Sequence, residues 1–348
     1  MEVDNKIWQE DIENLANKEI YNCFKNKTVL ITGATGLIGS EIVFSFICAN
    51  RIKDLNVKVI AFVRNEAKAE NLFKNILNNS NFKLHIADIK DEINIEENID
   101  YIIHCANITS SQMMLEKPVE TSLIALDGTK NILEFACKKE VKSLIFLSSL
   151  EIYGLINKEE LIKEDDFGYI DLSNPRSCYP ESKRMAENLC IAYSHQYGLN
   201  TKIARLTQTF GAGINDEDKR VFAQFVQSAI NKKNIVLHTK GNTTRNYCYL
   251  TDAINGILTV LIKGENKNAY NIANKNARFS ILEMAEMIAK KTNVEIEFQI
   301  DDVNRGYNPE IKACLDTAKL EKLGWKPEIN QEEIFERLIE YLKIKKEA

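Results

Sequence analysis

Tyr179 and Lys183 stand four residues apart in the stretch Cys178-Tyr179-Pro180-Glu181-Ser182-Lys183-Arg184-Met185-Ala186-Glu187. On a helix this spacing puts both side chains on one face, about one turn apart. A phenol beside a fixed ammonium makes a base that works near neutral pH. Free tyrosine titrates near ~10, so a phenolate at ~7 needs roughly 4 kcal/mol of preference for the charged form. Burial opposes this, because desolvation raises a phenol's pKa, so nearby positive charge must outweigh burial. Lys183 supplies one such charge. In a lysine-rich chain the spacing alone describes many exposed helix neighbours, and the rest of the sequence has to give it meaning.

The second constellation is Gly33-Ala34-Thr35-Gly36-Leu37-Ile38-Gly39-Ser40. It follows a short apolar strand pattern at 27–32 and opens a helical run that extends to Ala49. Strand, glycine-rich turn and helix form the context in which Gly-x-x-Gly-x-x-Gly reads as a dinucleotide site. Glycines let the backbone touch a pyrophosphate, and the helix N-terminus offers unpaired N–H groups with partial positive charge.

The elements that must position these groups alternate. Apolar strand patterns at 57–63, 82–87, 99–103, 143–147 and 202–206 are interleaved with helical patterns, including 118–139 and 176–197. Continuous apolar strands between helices mean a doubly wound parallel α/β sheet of Rossmann type. In such sheets chemistry gathers at the carboxyl ends of the strands. Gly33, Arg64, Asp88, Ala106 and Ser149 all fall there. An acidic residue after the second strand would bind the adenosine ribose, whereas Arg64 can pair with a 2′-phosphate, which tilts the choice between NAD and NADP toward NADP. Asp88 is a candidate for the adenine edge, and equally a turn residue.

Residues 1–26 read as an amphipathic helical arm, with Ile7, Trp8, Ile12, Leu15 and Ile20 at helical spacing. Residues 27–210 read as the dinucleotide-binding domain. After Gly211 the alternation loosens, and 211–348 reads as mostly a smaller mixed α/β lobe over the substrate, with short strands at 269–272 and 294–298.

The chain of 348 residues is 45% hydrophobic and 27% charged, ordinary for a globular protein of two lobes. A net charge of −5 argues against nucleic acid as a partner. No apolar run approaches the ~20 residues of a membrane helix. Eight cysteines are spread singly, without Cys-x-x-Cys or Cys/His clusters, and the N-terminus lacks a signal-peptide pattern. Reduced thiols in a cytoplasmic protein, with no disulfide framework and no metal, are the expectation.

These motifs, with His104 to Asn107, Asp127-Gly128-Thr129, Ser148 to Gly154, Ala204-Arg205-Leu206, Arg245 to Asp252 and Leu323-Gly324-Trp325, resemble in order and spacing the extended short-chain dehydrogenase/reductase family, in its nucleotide-sugar epimerase/dehydratase branch. The resemblance implies an NAD(P)-dependent enzyme that oxidises a nucleoside-diphosphate sugar, normally at C4, and later returns the hydride. It makes Tyr179 the base, Lys183 its modulator and holder of the nicotinamide ribose, and Ser149 a hydrogen-bond partner of the reacting oxygen. The cofactor would lie along Gly33, Thr35, Gly36, Leu37, Ile38, Gly39, Arg64, Asp88, Ile89, Ala106, Asn107 and Lys183. Thr109, Ser149, Gln208, Arg245 and Arg305 would meet the substrate, the two arginines on its diphosphate. Glu151 occupies the position where 4,6-dehydratases and nucleotide-sugar decarboxylases carry glutamate, which leans the reading to dehydratase-type chemistry. Some dehydratases have an aspartate acid where this chain has Leu150. Gln208 replaces a usual asparagine and Ala212 a common proline, departures that point to an altered pocket. 4-Epimerase, decarboxylase, NADPH-dependent reductase and a non-catalytic dinucleotide sensor stay open as alternatives. Family members commonly dimerise through two helices, which would be 118–139 and 176–197 here.

Overall fold

The computed structural model describes residues 4–156, 160–215, 218–300 and 312–347. Its strands are β1 Thr28–Thr32, β2 Lys58–Val63, β3 Phe82–Ile86, β4 Tyr101–His104, β5 Ser143–Ser149, β6 Thr201–Leu206, β7 Gln208–Phe210, β8 Ile235–Leu237, β9 Thr244–Tyr249, β10 Asn268–Ile272, β11 Arg278–Ser280, β12 Ile296–Phe298 and β13 Lys312–Ala313. Its helices are α1 Lys6–Ala16, α2 Leu37–Lys53, α3 Glu66–Phe73, α4 Ser111–Glu116, α5 Pro118–Lys138, α6 Cys178–Tyr197, α7 Val221–Ile230, α8 Leu250–Lys263, α9 Ile281–Thr292, α10 Ala318–Glu321 and α11 Gln331–Glu347.

Seven strands form one parallel sheet in the order β10-β6-β5-β4-β1-β2-β3. Strand order reverses between β1 and β4, and the crevice above that point is where doubly wound sheets take ligands. Successive residues of each strand feed opposite cores. Val29, Ile31, Ile145 and Leu147 pack on the side of α2 and α8, while Leu30, Leu144 and Phe146 pack on the side of α5 and α6. This two-sided burial is why the strands read as continuous apolar runs.

The 269–272 strand, in the stretch that reads as mostly the second lobe, pairs with β6 from Asn268↔Lys202 to Ile272↔Leu206 and completes the edge of the main sheet. The chain returns to the first domain after building part of the second. The smaller lobe holds β9 between β11 and β13, with β7 also on β9, and the separate pair β8–β12.

The N-terminal arm folds as α1 and a 3₁₀ turn, Glu19–Phe24, against the rest of the chain. Asn5 caps α1 and also donates to the carbonyl of Tyr341 on α11 at 2.9 Å. Asp11 accepts from Tyr249 Oη and from Arg337 Nε, tying the arm to β9 and α11. Among the described residues no helix is long and apolar enough to cross a membrane.

Candidate active site

The glycine turn is built by close approach. Gly33 has φ +64°, and a Cβ there would lie 2.8 Å from the backbone of Ala106. A Cβ on Gly39 would lie 2.5 Å from the carbonyl oxygen of Gly33. Gly36 donates to Gly33 O at 2.9 Å and is the N-cap of α2. Half-buried Thr35, Leu37 and Ile38 flank the turn. The ends of β1 and β4 are locked together through Thr32, whose hydroxyl accepts from Ala106 N at 3.1 Å and meets His104 Nδ1 at 2.7 Å. The other ring nitrogen, Nε2, faces Thr129 Oγ1 at 3.3 Å. Burial, helped by Lys183, pushes His104 down to about 3, so the ring stays neutral.

Arg64 is exposed at the end of β2, next to Asn65, the N-cap of α3. Asp88 Oδ1 accepts from Lys90 N at 3.0 Å, an Asx-type turn after β3. Ile89 is buried against Gly128, where a Cβ would come within 2.9 Å of it. Asn131 Nδ2 also donates to the carbonyls of Ile89 and Lys90. This close packing gives Asp127-Gly128-Thr129 its small central residue. Asn107 Oδ1 accepts from Ile108 N, while its Nδ2 is buried with no partner among the described residues.

Ser149, Glu151, Tyr179 and Lys183 come together at the end of β5. The helix expected over 176–197 begins at Cys178, which leaves Tyr179 in its first turn and 6% exposed. Ser149 stands close enough to Tyr179 to favour its phenolate, and its Oγ accepts from Glu151 N at 3.2 Å. Lys183 is 4% exposed. Its Nζ donates to the Leu147 carbonyl at 2.5 Å, lies 4.5 Å from the Phe146 ring centre and 5.9 Å from that of Tyr179. Burial pulls Lys183 down to about 8, with Glu187 opposing. Burial, and then the charge of Glu151, push the Tyr179 phenol up, against Ser149 and the Arg176 charge. From protein groups alone burial therefore wins over the cations. Lys183 donates one of its three N–H groups to Leu147, and positive charge brought in by a ligand would favour the phenolate.

Arg176 is the residue that the sequence reading treats only as a helix start. It stands in the 3₁₀ turn Pro175–Ser177, capped by Asn174 Oδ1. Its Nη2 donates to both oxygens of Glu151, at 3.1 and 2.9 Å, and its guanidinium lies 5.7 Å from the Tyr179 ring centre. The available signal was a cation three residues before the candidate base.

The remaining substrate candidates are more dispersed. Gln208 on β7 sits opposite Tyr247 on β9, and Arg245 is two residues earlier on β9. Arg245 Nε is buried without a partner among the described residues. Thr109 is exposed in the loop after β4. Arg305 lies outside the described residues. Leu150 and Ala212 are buried, Ala212 N donating to Tyr249 Oη at 3.3 Å.

Comparison with known proteins yields one family model, the NAD dependent epimerase/dehydratase family, matching residues 29–273. UDP-glucuronic acid decarboxylase 3 of Arabidopsis thaliana is 31% identical over 313 residues, covering 89% of this chain and 87% of that protein. Among solved structures, UDP-glucose 4-epimerase of Thermotoga maritima superposes with a TM-score of 0.77 at 21% identity, covering 91% of this chain and 99% of that one. The dTDP-glucose 4,6-dehydratase of Bacillus anthracis, in complex with NAD, also gives 0.77 at 21% identity, covering 92% and 98%. At such identities the structural likeness concerns the fold.

Proposed function

The chain belongs to the NAD dependent epimerase/dehydratase family, and from that premise we propose that it oxidises a UDP-linked hexuronic acid at C4 and releases carbon dioxide from the keto acid. The residues fit a dinucleotide. Gly33 and Gly39 let the turn close on its own backbone, exposed Gly36 leaves the N-cap of α2 without a side chain, and α2 opens with no acidic residue in its first turn. Gly33 to Gly39 would hold the pyrophosphate, Asp88 and Ile89 the adenine end, and Ala106, Asn107 and Lys183 the nicotinamide end. Bound there, NAD would accept hydride from the sugar and later return it.

Tyr179 takes the C4 hydroxyl proton, with Ser149 orienting the oxygen and Lys183 contributing positive charge. A sugar carrying a C4 ketone and a C6 carboxylate is a β-keto acid. When its C5–C6 bond breaks, the electron pair passes to the C4 carbonyl as an enolate and carbon dioxide leaves. Tyr179 and Ser149 then hydrogen-bond the enolate oxygen.

The observation that carries this reading is the Glu151–Arg176 pair. Dehydration of a neutral sugar needs a free carboxylate to take the C5 proton, and with no acid group on the sugar to compete for Arg176 both Glu151 oxygens stay on its guanidinium. Decarboxylation needs no such base, and a guanidinium suits a carboxylate substrate. The curated relative supports the same choice over the dehydratase chemistry that Glu151 alone indicates. Arg64 supports NADP as an accepted cofactor alongside NAD. The exposed apolar residues Val119 and Leu123 on α5 and Met185 on α6 support pairing of two copies through these helices, which light scattering would show as twice the chain mass. The reaction is tested by incubating the protein and NAD with UDP-hexuronic acids and UDP-hexoses and analysing products by mass spectrometry. Loss of carbon dioxide is expected. Loss of water, or an isomer of unchanged mass, would overturn decarboxylation.

A further inference from the structure

Of the arginine–carboxylate pairs near the candidate base, two are built differently. Arg205 and Glu187 are 6% and 9% exposed in their side chains. Arg205 also donates to Tyr153 Oη and the Glu164 carbonyl, so its fork is filled by the fold. Arg176 and Glu151 are 26% and 33% exposed. Only Nη2 of Arg176 is engaged, and neither side chain has another hydrogen-bond or ion-pair partner among the described residues. A half-exposed pair is weak and exchanges readily. This one lies against the ring of the residue proposed to act on C4.

We propose that Arg176 selects the substrate by exchanging Glu151 for the sugar's carboxylate, and that the released Glu151 then protonates C5. The inference rests on the decarboxylation reading and assigns it a specificity-determining residue. The substrate carboxylate enters the guanidinium fork, displacing the side chain that stands in for it. The displaced Glu151 side chain, 33% exposed, receives a proton from a solvent or buffer acid at the open side of the site. Once the C5–C6 bond has broken and carbon dioxide has left, the Glu151 O–H bond breaks, its proton bonds to C5, and the enolate electrons return to form the C4 ketone. The decarboxylated sugar carries no anion for Arg176, so Glu151, again a carboxylate, re-pairs with it. The exchange thus admits acidic sugars, arms the proton donor only when one is bound, and resets afterwards.

The test compares Arg176→Gln, Arg176→Lys and Glu151→Gln with wild type, by calorimetric binding and steady-state kinetics on a UDP-hexuronic acid and the matching UDP-hexose. Arg176→Gln should weaken binding and raise KM for the acid about 10-fold or more while leaving hexose binding unchanged, and Arg176→Lys should recover part of it. Glu151→Gln should bind the acid at least as tightly as wild type but lose roughly 100-fold in kcat. Equal weakening of acid and hexose by Arg176→Gln would place Arg176 on the nucleotide diphosphate and overturn the proposal, as would full turnover by Glu151→Gln. If wild type decarboxylates the acid and Arg176→Gln keeps its preference, this inference fails alone. If wild type converts only neutral sugars, the decarboxylation reading fails with it. Thermal midpoints of the variants within a few degrees of wild type show that the effects arise at the site.

Discussion

Trp8, on the N-terminal helix, donates its indole N–H to Oε1 of Glu41, in the helix behind the glycine turn, at 2.7 Å. Glu41 is 3% exposed, and burial raises its carboxyl well above its ordinary value. Burial thus favours the neutral carboxyl. An ionised carboxylate this close to the start of α2 would oppose the partial positive charge that favours a pyrophosphate there. The arm outside the sheet thus helps set the electrostatics of the phosphate end.

Replacing Trp8 by Phe leaves a buried acceptor unmatched and should cost about 1–3 kcal/mol in urea unfolding. Glu41→Gln keeps a neutral acceptor. Its effect depends on pH with a definite sign. The unfolded carboxyl loses its proton above the ordinary value of 4.5 while the folded one keeps it. The unfolded state then binds fewer protons, so wild-type stability from this group is full below that value and declines as pH rises. The urea midpoint of Glu41→Gln relative to wild type should climb between about pH 5 and about pH 8. A constant gap would show that Glu41 is ionised.

Two positive-φ glycines separate backbone strain from close approach. Gly198 has φ +73° and open space where a Cβ would go, whereas Gly33 has φ +64° and meets Ala106. Gly198→Ala should cost only the left-handed penalty, roughly 1–2 kcal/mol. Gly33→Ala should cost more and pry the β1 and β4 ends apart. Its decisive readout is a fluorescence titration with reduced cofactor, in which Gly198→Ala binds as wild type and Gly33→Ala does not.

The parts of this arrangement legible in the sequence are those encoded locally. The glycine turn, the apolar strands and the amphipathic arm each carry their own period or turn chemistry, and Tyr179 with Lys183 is a within-helix spacing. The parts missed are pairings between distant segments. Nothing in Asn268–Ile272 announces that it lies beside β6, since β-register is decided by the partner strand. Arg176 meets a carboxylate 25 residues earlier, and Asp11 meets an arginine 326 residues later. Lys183 lies one helical turn from Tyr179, while its hydrogen bond to Leu147 depends on how β5 ends beside α6.

Arg64 offers a test of cofactor choice. Exposed at the end of β2, it is placed to meet a 2′-phosphate in the proposed binding mode. Arg64→Ala should weaken NADP about 10-fold, the range of one charge-assisted contact, and leave NAD unchanged. Equal effects of Arg64→Ala on the two affinities would remove Arg64 from the 2′-phosphate.

The Arg205–Glu187 pair tests the frame around the base. Arg205 Nη2 lies 2.7 Å from Glu187 Oε2. Removing one partner of a buried pair leaves an uncompensated charge, so Arg205→Met should cost about 3–5 kcal/mol. Adding Glu187→Leu should return much of it. A double-mutant cycle by chemical denaturation measures the coupling, and additive losses would mean that the pair contributes little.

Tyr179 is held between Glu151, which raises its phenol, and Arg176 and Ser149, which lower it. Tyr179→Phe should lose 10²–10⁴-fold in turnover, the range for a positioned acid–base group, while still binding reduced cofactor. The neighbours' charges should then appear in the pH dependence of the first hydride transfer from a UDP-hexose, with which Glu151 and Arg176 stay paired, followed in a single turnover by the absorbance of reduced cofactor. The base is active when deprotonated, so the rate rises with pH through the phenol's titration. Glu151→Gln removes a like charge and should move that rise to lower pH, even though later steps fail. Arg176→Gln removes an opposite charge and should move it to higher pH. Shifts of the same sign in both variants would mean that another group controls the rise.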